Sequence, residues 1–197
     1  MIAIIDYGAG NLRSVQNTLD EIGAMYRVLE GPDGLDHASK VVLPGVGPFG
    51  QMMRALDERQ LRQPVIDVIR AGVPFLGICL GLQGLFTSSE EAPNERGLGV
   101  FPGTVRRFAA DARVPHMGWN DLDRRRDSQL LTGLPERPYV YFAHSYYVPE
   151  SCETTAACTY TTAYTAVLEH KNVFGVQFHP EKSGPTGLKI VKNFLEL

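Results

Sequence analysis

Residues 73–86 read VPFLGICLGLQGLF, a pattern that predicts a short apolar strand, a turn at Cys79 and then a helix. Gly77 and Gly81 flank the cysteine at the spacing of the nucleophile elbow G-x-S-x-G, with cysteine in place of serine. In such a turn the central side chain projects at the carboxyl edge of the sheet, where open α/β sheets bind their ligands. A lone cysteine is most often a small buried hydrophobe, but this setting makes Cys79 a candidate nucleophile.

The first half of the chain alternates short strands with helices. Strand patterns cover residues 2–6, 25–29, 40–43 and 73–78, and helical patterns cover residues 12–22 and 49–71. Asn11 is placed to cap the first helix and Gly23 to end it, while Gln63-Pro64 begins a second helix within the longer segment. Because the strands are apolar on both faces, the pattern predicts a parallel sheet covered by helices on each side.

The second half has strand patterns that lie closer together, at residues 139–143, 154–160, 165–168 and 173–178. This spacing favours antiparallel hairpins attached to the parallel sheet. A last helix is expected over residues 188–195, after a turn at Gly184-Pro185. We therefore expect one domain over residues 1–197: an α/β fold with an open, mostly parallel sheet, flanking helices and an added antiparallel region.

The amino-acid composition excludes several classes of protein function. The 197 residues carry 19 basic and 22 acidic side chains. Proteins dedicated to binding nucleic acids or anionic membranes are strongly basic, so this balance excludes that class of protein. Three cysteines cannot pair completely, which favours a reducing compartment. The first residues do not resemble a signal peptide, and the longest apolar stretch, residues 71–86, is short for a membrane span. We expect a cytoplasmic protein.

Residues 45–50, GVGPFG, match the G-x-G-x-x-G pattern of dinucleotide-binding loops. Nucleotide binding also needs an acidic residue at the end of the next strand, about 20 residues on. Here the following segment is helical and the next strand ends at Cys79, so we reject that function and keep the loop as a source of exposed backbone N–H groups. No Walker A, H-E-x-x-H or paired C-x-x-C pattern occurs, so we expect no cofactor and no metal.

A thiol nucleophile needs a base, and His179 is the best placed of the five histidines. It ends a strand pattern and is followed by Pro180-Glu181. Pro180 favours an extended tripeptide, in which Glu181 points to the same side as His179. A carboxylate on one ring nitrogen leaves the other facing the nucleophile, as in a catalytic triad. The remaining histidines are expected to be solvated (His37, His170) or structural (His116, His144).

The elbow and the distant His179-Pro180-Glu181 together resemble class I (triad) glutamine amidotransferases. Within that family the resemblance is to the glutaminase subunits of imidazole glycerol phosphate synthase, on residues 5–12 (IDYGAGNL), 44–47 (PGVG), 116–120 (HMGWN) and 141–146 (YFAHSY). The resemblance covers almost the whole chain. It implies hydrolysis of glutamine to glutamate and ammonia. The ammonia would pass to a separate (β/α)₈ cyclase subunit, which makes imidazole glycerol phosphate and aminoimidazole carboxamide ribotide in histidine biosynthesis.

The resemblance also implies roles for single residues. Cys79 would form a glutamyl thioester, His179 would transfer protons and Glu181 would orient the His179 ring. The oxyanion hole would be formed by Val46, Gly47 and Leu80. The glutamine would be held by Gly45, by Gln83 and by the backbone of His144, Ser145 and Tyr146, although Gln83 by itself would be interpreted as a polar helix residue.

Coupling to the cyclase is expected, because uncoupled hydrolysis would waste nitrogen. Gly45-Val46-Gly47 has two glycines that could allow a peptide flip, so we expect weak glutaminase activity from the chain alone. The candidate interface residues are Trp119, Tyr141 and Lys182, and a solvated surface charge is an equal interpretation of Lys182. The alternatives are the glutaminase of another complex such as pyridoxal phosphate synthase, a cysteine peptidase or other thiol hydrolase, and a non-enzymatic nucleotide-binding or interaction module.

Overall fold

The computed structural model describes residues 1–8 and 11–197. Ala9 and Gly10, which the sequence places in the turn after the first strand, lie outside the described residues. The strands are β1 (Ile2–Ile5), β2 (Tyr26–Leu29), β3 (Lys40–Gly45), β4 (Phe75–Cys79), β5 (Phe86–Ser89), β6 (Phe101–Arg107), β7 (His116–Asp121), β8 (Asp123–Arg124), β9 (Tyr139–His144), β10 (Tyr146–Tyr147), β11 (Thr154–Thr159), β12 (Ala163–His170) and β13 (Val173–Val176). The α-helices are α1 (Leu12–Ile22), α2 (Phe49–Glu58), α3 (Arg62–Arg70), α4 (Leu80–Gly84) and α5 (Gly184–Leu195), with short 3-10 helices at Leu35–His37 and Pro180–Lys182.

In the described part of the chain the central sheet has eight strands, in the order β2-β1-β3-β4-β13-β12-β11-β8. The first five strands are parallel, and the last three continue the sheet antiparallel. The parallel part follows the flavodoxin-like strand order. Two small sheets lie beside it, β10-β6-β5 and β7-β9. The predicted α/β class, with a mostly parallel sheet and an antiparallel region, is confirmed.

Side chains that alternate along the central strands fill two separate cores. Ala3 and Ile5 of β1 pack into the core that contains Phe49 of α2 and Val65 of α3. Ile4 packs into the opposite core, which is built on α1 and α5. Because successive strand residues point to opposite faces, both faces of the sheet are apolar and both are covered by helices, as the strand patterns predict.

Three predictions about the ends of helices differ from the structure. Asn11 does not cap α1 with its side chain, since its φ is 76° and its amide instead contacts Glu181. The helix after Cys79 ends at Gly84, because Phe86 pairs with Phe101 in a parallel β5–β6 ladder. The last helix begins at Gly184, four residues earlier than expected, because Pro185 lies in its first turn, where a missing N–H costs nothing.

The strand order brings three carboxyl ends to one edge of the sheet. Gly45 at the end of β3 is the register partner of Cys79 at the end of β4. On the other side of β4, Val176 of β13 pairs with Ile78. The segments that follow β3, β4 and β13 therefore converge on one place. None of the helices in the described ranges is long and apolar enough to cross a membrane.

Candidate active site

Cys79 lies at a strained turn between β4 and α4. Its φ and ψ are 53° and −104°, a conformation that costs a non-glycine residue about 1–3 kcal/mol and is concentrated at functional sites. The turn also requires Gly81, because a Cβ there would lie 2.0 Å from the Leu43 carbonyl oxygen. The elbow predicted from residues 77–81 is therefore present in the backbone.

His179 and Glu181 form a buried pair next to this turn. His179 Nδ1 lies 2.8 Å from Glu181 Oε1, and their side chains are 3% and 1% exposed. A carboxylate only accepts hydrogen bonds, so Nδ1 carries the proton and donates to Glu181. Cys79 and His179 line the same cavity, and the sulfur lies close enough to act on the charge of the ring, so the structure brings the three candidate triad residues together.

The geometry of the His-Pro-Glu segment differs from the extended tripeptide predicted from the sequence. Pro180–Lys182 is a short 3-10 helix, closed by a bond from the Lys182 N–H to the His179 carbonyl. The fixed φ of proline suits the first position of a helix as well as an extended chain. The turn brings the Glu181 carboxylate to His179 by a different path from the predicted one.

The charge balance favours a protonated His179. Burial by itself lowers the pKa of His179, but the Cys79 thiolate and the Glu181 carboxylate outweigh burial and raise that pKa to about 10. The imidazolium is thus the favoured form of the ring beside a thiolate. This arrangement is suited to a nucleophilic sulfur whose neighbour holds a proton for a leaving group.

The elbow opens into a cavity of about 230 Å³. Its walls are formed by Val46, Gly47, Cys79, Leu80, Gln83, Glu91, Pro115, Ala143, His144, Ser145, Tyr146 and His179. All of the residues predicted to bind glutamine or the oxyanion line this cavity except Gly45, which lies beside Cys79 in the sheet register. The structure thus gathers the predicted residues around one site, and their roles stay predictions.

Glu91 is the cavity residue that the sequence analysis missed. Its Oε2 accepts a hydrogen bond of 2.8 Å from the Phe49 N–H at the start of α2. It is the sole acidic side chain among the described residues that line the cavity. In the sequence it lies in a short polar stretch with no recognisable spacing, so no pattern marks it.

His116 and His144 are structural in their side chains. Their Nδ1 and Nε2 atoms lie 3.1 Å and 3.2 Å from the hydroxyl of Tyr164, which is fully buried. Burial lowers the pKa of His116 to about 4 and that of His144 to about 3, so both rings are neutral at pH 7. The expected exposure of His37 and His170 is also observed.

The three candidate interface residues form one patch beside the cavity. The rings of Trp119 on β7 and Tyr141 on β9 meet edge to face at 6.2 Å, and Lys182 Nζ lies 5.9 Å from the Tyr141 ring centre. Trp119 is 56% exposed. The Tyr141 carbonyl also accepts the His179 N–H at 2.9 Å, which joins the patch directly to the candidate base.

Comparison with known proteins identifies the family. The family described as Glutamine amidotransferase class-I matches residues 3–197. This chain belongs to the class I glutamine amidotransferase family. The resemblance to the glutaminase subunits of imidazole glycerol phosphate synthase is confirmed, because relatives that are 49% and 50% identical to this chain carry the name of that subunit.

Two of these relatives illustrate the similarity. The chain is 49% identical over 196 residues to "Imidazole glycerol phosphate synthase subunit HisH" of Desulfitobacterium hafniense (strain Y51), covering 98% of this chain and 93% of that protein. It is 50% identical over 198 residues to the subunit of the same name of Methanothermobacter thermautotrophicus, covering 100% of this chain and 98% of that protein.

Solved structures agree on the amidotransferase fold at lower identity. "Crystal structure of glutamine amidotransferase" is 19% identical, with a TM-score of 0.77 over 100% of this chain and 98% of that one. "Structure of PurLQS from Thermotoga maritima" is 18% identical, with a TM-score of 0.77 over 99% of this chain and 97% of the matched chain.

Proposed function

We propose that this amidotransferase, as one domain over residues 1–197, is the glutaminase subunit of an imidazole glycerol phosphate synthase. The observation that carries the proposal is the buried Cys79–His179–Glu181 arrangement beside a cavity lined by the residues predicted to bind the substrate glutamine. The relatives that are 49% and 50% identical to this chain support this specific enzyme over other amidotransferases. The reaction converts glutamine and water into glutamate and ammonia.

In the proposed first half-reaction, the Cys79 thiolate attacks the side-chain amide carbon of glutamine. The tetrahedral oxyanion is met by the Leu80 N–H at the start of α4 and by the Val46-Gly47 segment after β3. Each such donor lowers the barrier by about 3 kcal/mol. The intermediate collapses to a glutamyl thioester, and ammonia leaves with a proton supplied by His179.

In the second half-reaction, His179 removes a proton from water as the water attacks the thioester. Collapse of the second tetrahedral intermediate releases glutamate and restores the thiolate, while His179 is again protonated. Glu181 keeps the ring oriented throughout, since its bond to Nδ1 fixes the other nitrogen toward the sulfur. Glu91 supplies the negative charge that complements the α-ammonium group of the substrate.

The ammonia passes to the proposed partner, a (β/α)₈ cyclase subunit that binds the patch of Trp119, Tyr141 and Lys182. An exposed tryptophan is a frequent interface anchor. The hydrogen bond from the His179 N–H to the Tyr141 carbonyl joins this patch directly to the proposed base. No nucleic acid or membrane takes part in the proposed activity.

The loop after β3 supports regulation by the partner. Gly47 has a φ of +93°, and the Val46 carbonyl accepts a hydrogen bond of 3.5 Å from the Tyr7 hydroxyl. Two glycines around one valine allow this peptide segment to reorient at low cost. We infer that the oxyanion donor is presented when the cyclase carries its nucleotide ligand, so the free chain has weak activity.

Glutamate release from glutamine tests the proposal. It should be measured with the chain alone, with a cyclase subunit, and with that subunit plus its nucleotide ligand, for the wild type and for Cys79→Ala. Strong ligand-dependent release that is lost in Cys79→Ala is expected, and Cys158→Ala, which removes another buried free cysteine, should retain it. Release without any response to the cyclase would leave a thiol hydrolase and remove the assignment to histidine biosynthesis.

A further inference from the structure

We propose that Gln177 is a further catalytic residue, whose side-chain amide donates a hydrogen bond to the Cys79 sulfur. This inference rests on the proposed role of Cys79 as nucleophile. Gln177 follows β13 and is fully buried, and its Nε2 lies 3.6 Å from Cys79 Sγ. It therefore touches the sulfur that is proposed to react.

The orientation of the Gln177 amide follows from its neighbours. Gln83 Nε2 lies 2.8 Å from the Tyr146 carbonyl oxygen, which can only accept. The atom of Gln83 at that position is therefore the amide nitrogen Nε2. Its second hydrogen points to the Gln177 side chain, whose nearest polar atom lies 3.1 Å from Gln83 Nε2. The Gln177 atom there must be the acceptor Oε1. Its Nε2 is consequently the atom that faces the sulfur.

The Tyr146 carbonyl also fixes the other end of this arrangement. His144 Nδ1 lies 2.8 Å from the same oxygen, so Nδ1 of His144 carries a proton as well. Two donors hold one carbonyl oxygen, and the Gln83 amide cannot invert without losing its bond there. Gln177 is thereby held with its N–H toward Cys79 by bonds that do not involve the substrate.

This placement has a chemical purpose. Burying a side-chain amide is unfavourable unless it is hydrogen-bonded, and an N–H group is bound more strongly by an anion than by a neutral acceptor. The contact is therefore most favourable with the thiolate form of Cys79. Gln177 exchanges no proton: it stabilises the sulfur anion before attack, releases it as the carbon–sulfur bond forms, and receives it again when the thioester is hydrolysed.

Alkylation of Cys79 by iodoacetamide tests this role without using glutamine. Cys152 is exposed and would react too, so the variants are made in Cys152→Ser, and the Cys79 adduct is quantified by mass spectrometry between pH 5 and 10. The other titratable groups whose charge interacts with that of the sulfur are His179, Tyr7 and Tyr164, and Glu91 lines the same cavity. All four are unchanged in the variants.

Two substitutions separate the electrostatic role from packing. Gln177→Met keeps the length of the side chain but removes the donor, and should slow alkylation at pH 7 by about three- to tenfold and move its pH profile upward. Gln177→Glu keeps an acceptor for Gln83 but turns a carboxylate toward the sulfur, and should slow it more. The control is Thr165→Val, which removes a buried hydroxyl from the neighbouring strand β12 and should lower stability without moving the profile.

An unchanged alkylation profile in folded Gln177→Met would overturn the proposal. If neither Gln177 variant folds, the side-chain amide signals of ¹⁵N-labelled wild-type protein give the answer. The Gln177 signals should move when Cys79 is carboxamidomethylated, and signals that stay in place would also overturn it. Failure of the proposed function looks different, since glutamate release would then survive in Cys79→Ala whatever the alkylation profile.

Discussion

Asn11 and Glu181 are 170 positions apart in the sequence, yet the Asn11 side-chain amide donates a hydrogen bond to the same carboxylate oxygen that accepts from His179. The residue at the start of α1 therefore holds the carboxylate that orients the candidate base. This contact ties the first turn of the fold to the segment that follows β13.

Asn11 should consequently act as a positioning residue. Asn11→Ala should lower kcat of the coupled glutaminase by about tenfold with little change in KM, because loss of an outer partner misorients the group it supports. Asn11→Asp should be worse, since it places a second carboxylate against Glu181. Steady-state kinetics with the cyclase present measures both, and Asn17→Ala, an exposed site on the same helix, is the matched control. An unchanged kcat in Asn11→Ala would refute the role.

Glu91 should determine affinity for glutamine. Glu91→Gln retains an acceptor for the Phe49 N–H but removes the charge that we propose faces the substrate ammonium. We expect KM for glutamine to rise by about tenfold while kcat changes little, because charge-assisted hydrogen bonds are roughly twice as strong as neutral ones. Glu90→Gln is the control, since the neighbouring side chain is exposed and does not line the cavity. Equal KM values for the two variants would contradict this assignment.

The buried histidines should make the fold sensitive to acid. The unfolded state binds protons on His116 and His144 near pH 6.5, whereas burial lowers their folded pKa values to about 4 and about 3. The unfolded state therefore holds more protons below pH 6.5, and the free energy of unfolding should fall as the pH drops from 6.5 toward 4. Each ring contributes a slope of up to about 1.4 kcal/mol per pH unit.

Denaturant unfolding at pH 4.5–7 checks this slope. His116→Gln keeps a donor toward the Tyr164 hydroxyl but cannot titrate, so its stability should depend less steeply on pH than that of the wild type. His37→Gln is the control, because that ring is exposed. Parallel curves for the wild type and His116→Gln would show that the buried ring does not contribute.

The elbow should tolerate no side chain at Gly81. Gly81→Ala places a Cβ 2.0 Å from the Leu43 carbonyl oxygen, and a backbone oxygen in the sheet cannot move aside. The unfolding free energy should fall by about 3 kcal/mol or more. Gly31→Ala, with nothing within 4 Å of the added carbon, should stay within about 0.5 kcal/mol of the wild type. Thermal unfolding compares them, and equal midpoints would contradict the close approach.

Lys182 tests the proposed partner surface. Lys182→Ala removes an exposed positive charge from the proposed interface and should weaken binding of the cyclase about two- to fivefold, the range expected for one exposed ion pair with the partner. Titration calorimetry measures the affinity, and coupled glutaminase activity should fall with it. Lys192→Ala, an exposed site on α5, should do neither. If affinity and coupled activity both survive in Lys182→Ala, the residue is a solvated surface charge.

Local patterns in the sequence predict much of this molecule. Apolar runs predict the strands of the central sheet, the glycines at 77 and 81 predict the elbow, and His179-Pro180-Glu181 predicts the base and its carboxylate. These features are short-range, since each is specified by residues within a few positions of one another.

The features that sequence analysis missed depend on long-range contacts. Asn11 has the residue type of a helix cap, but its side chain donates a hydrogen bond to the Glu181 carboxylate instead. The tertiary fold brings that carboxylate to Asn11. Phe86 belongs to an apolar run typical of a helix, and pairing with Phe101 draws it into a strand. Glu91 carries no local signal, because what distinguishes it is the cavity it lines.

The position of β13 between β4 and β12 has a consequence for biosynthesis of the enzyme. Cys79 is synthesised about a hundred residues before His179, and until β13 inserts, β4 is an unpaired edge of apolar residues that invites association with other chains. Insertion of β13 closes that edge and brings His179 to Cys79 in the same event. We therefore expect a nascent chain to pass through a stage in which it is most prone to aggregate and still lacks the proposed base, so that release of ammonia begins only after this edge has been covered.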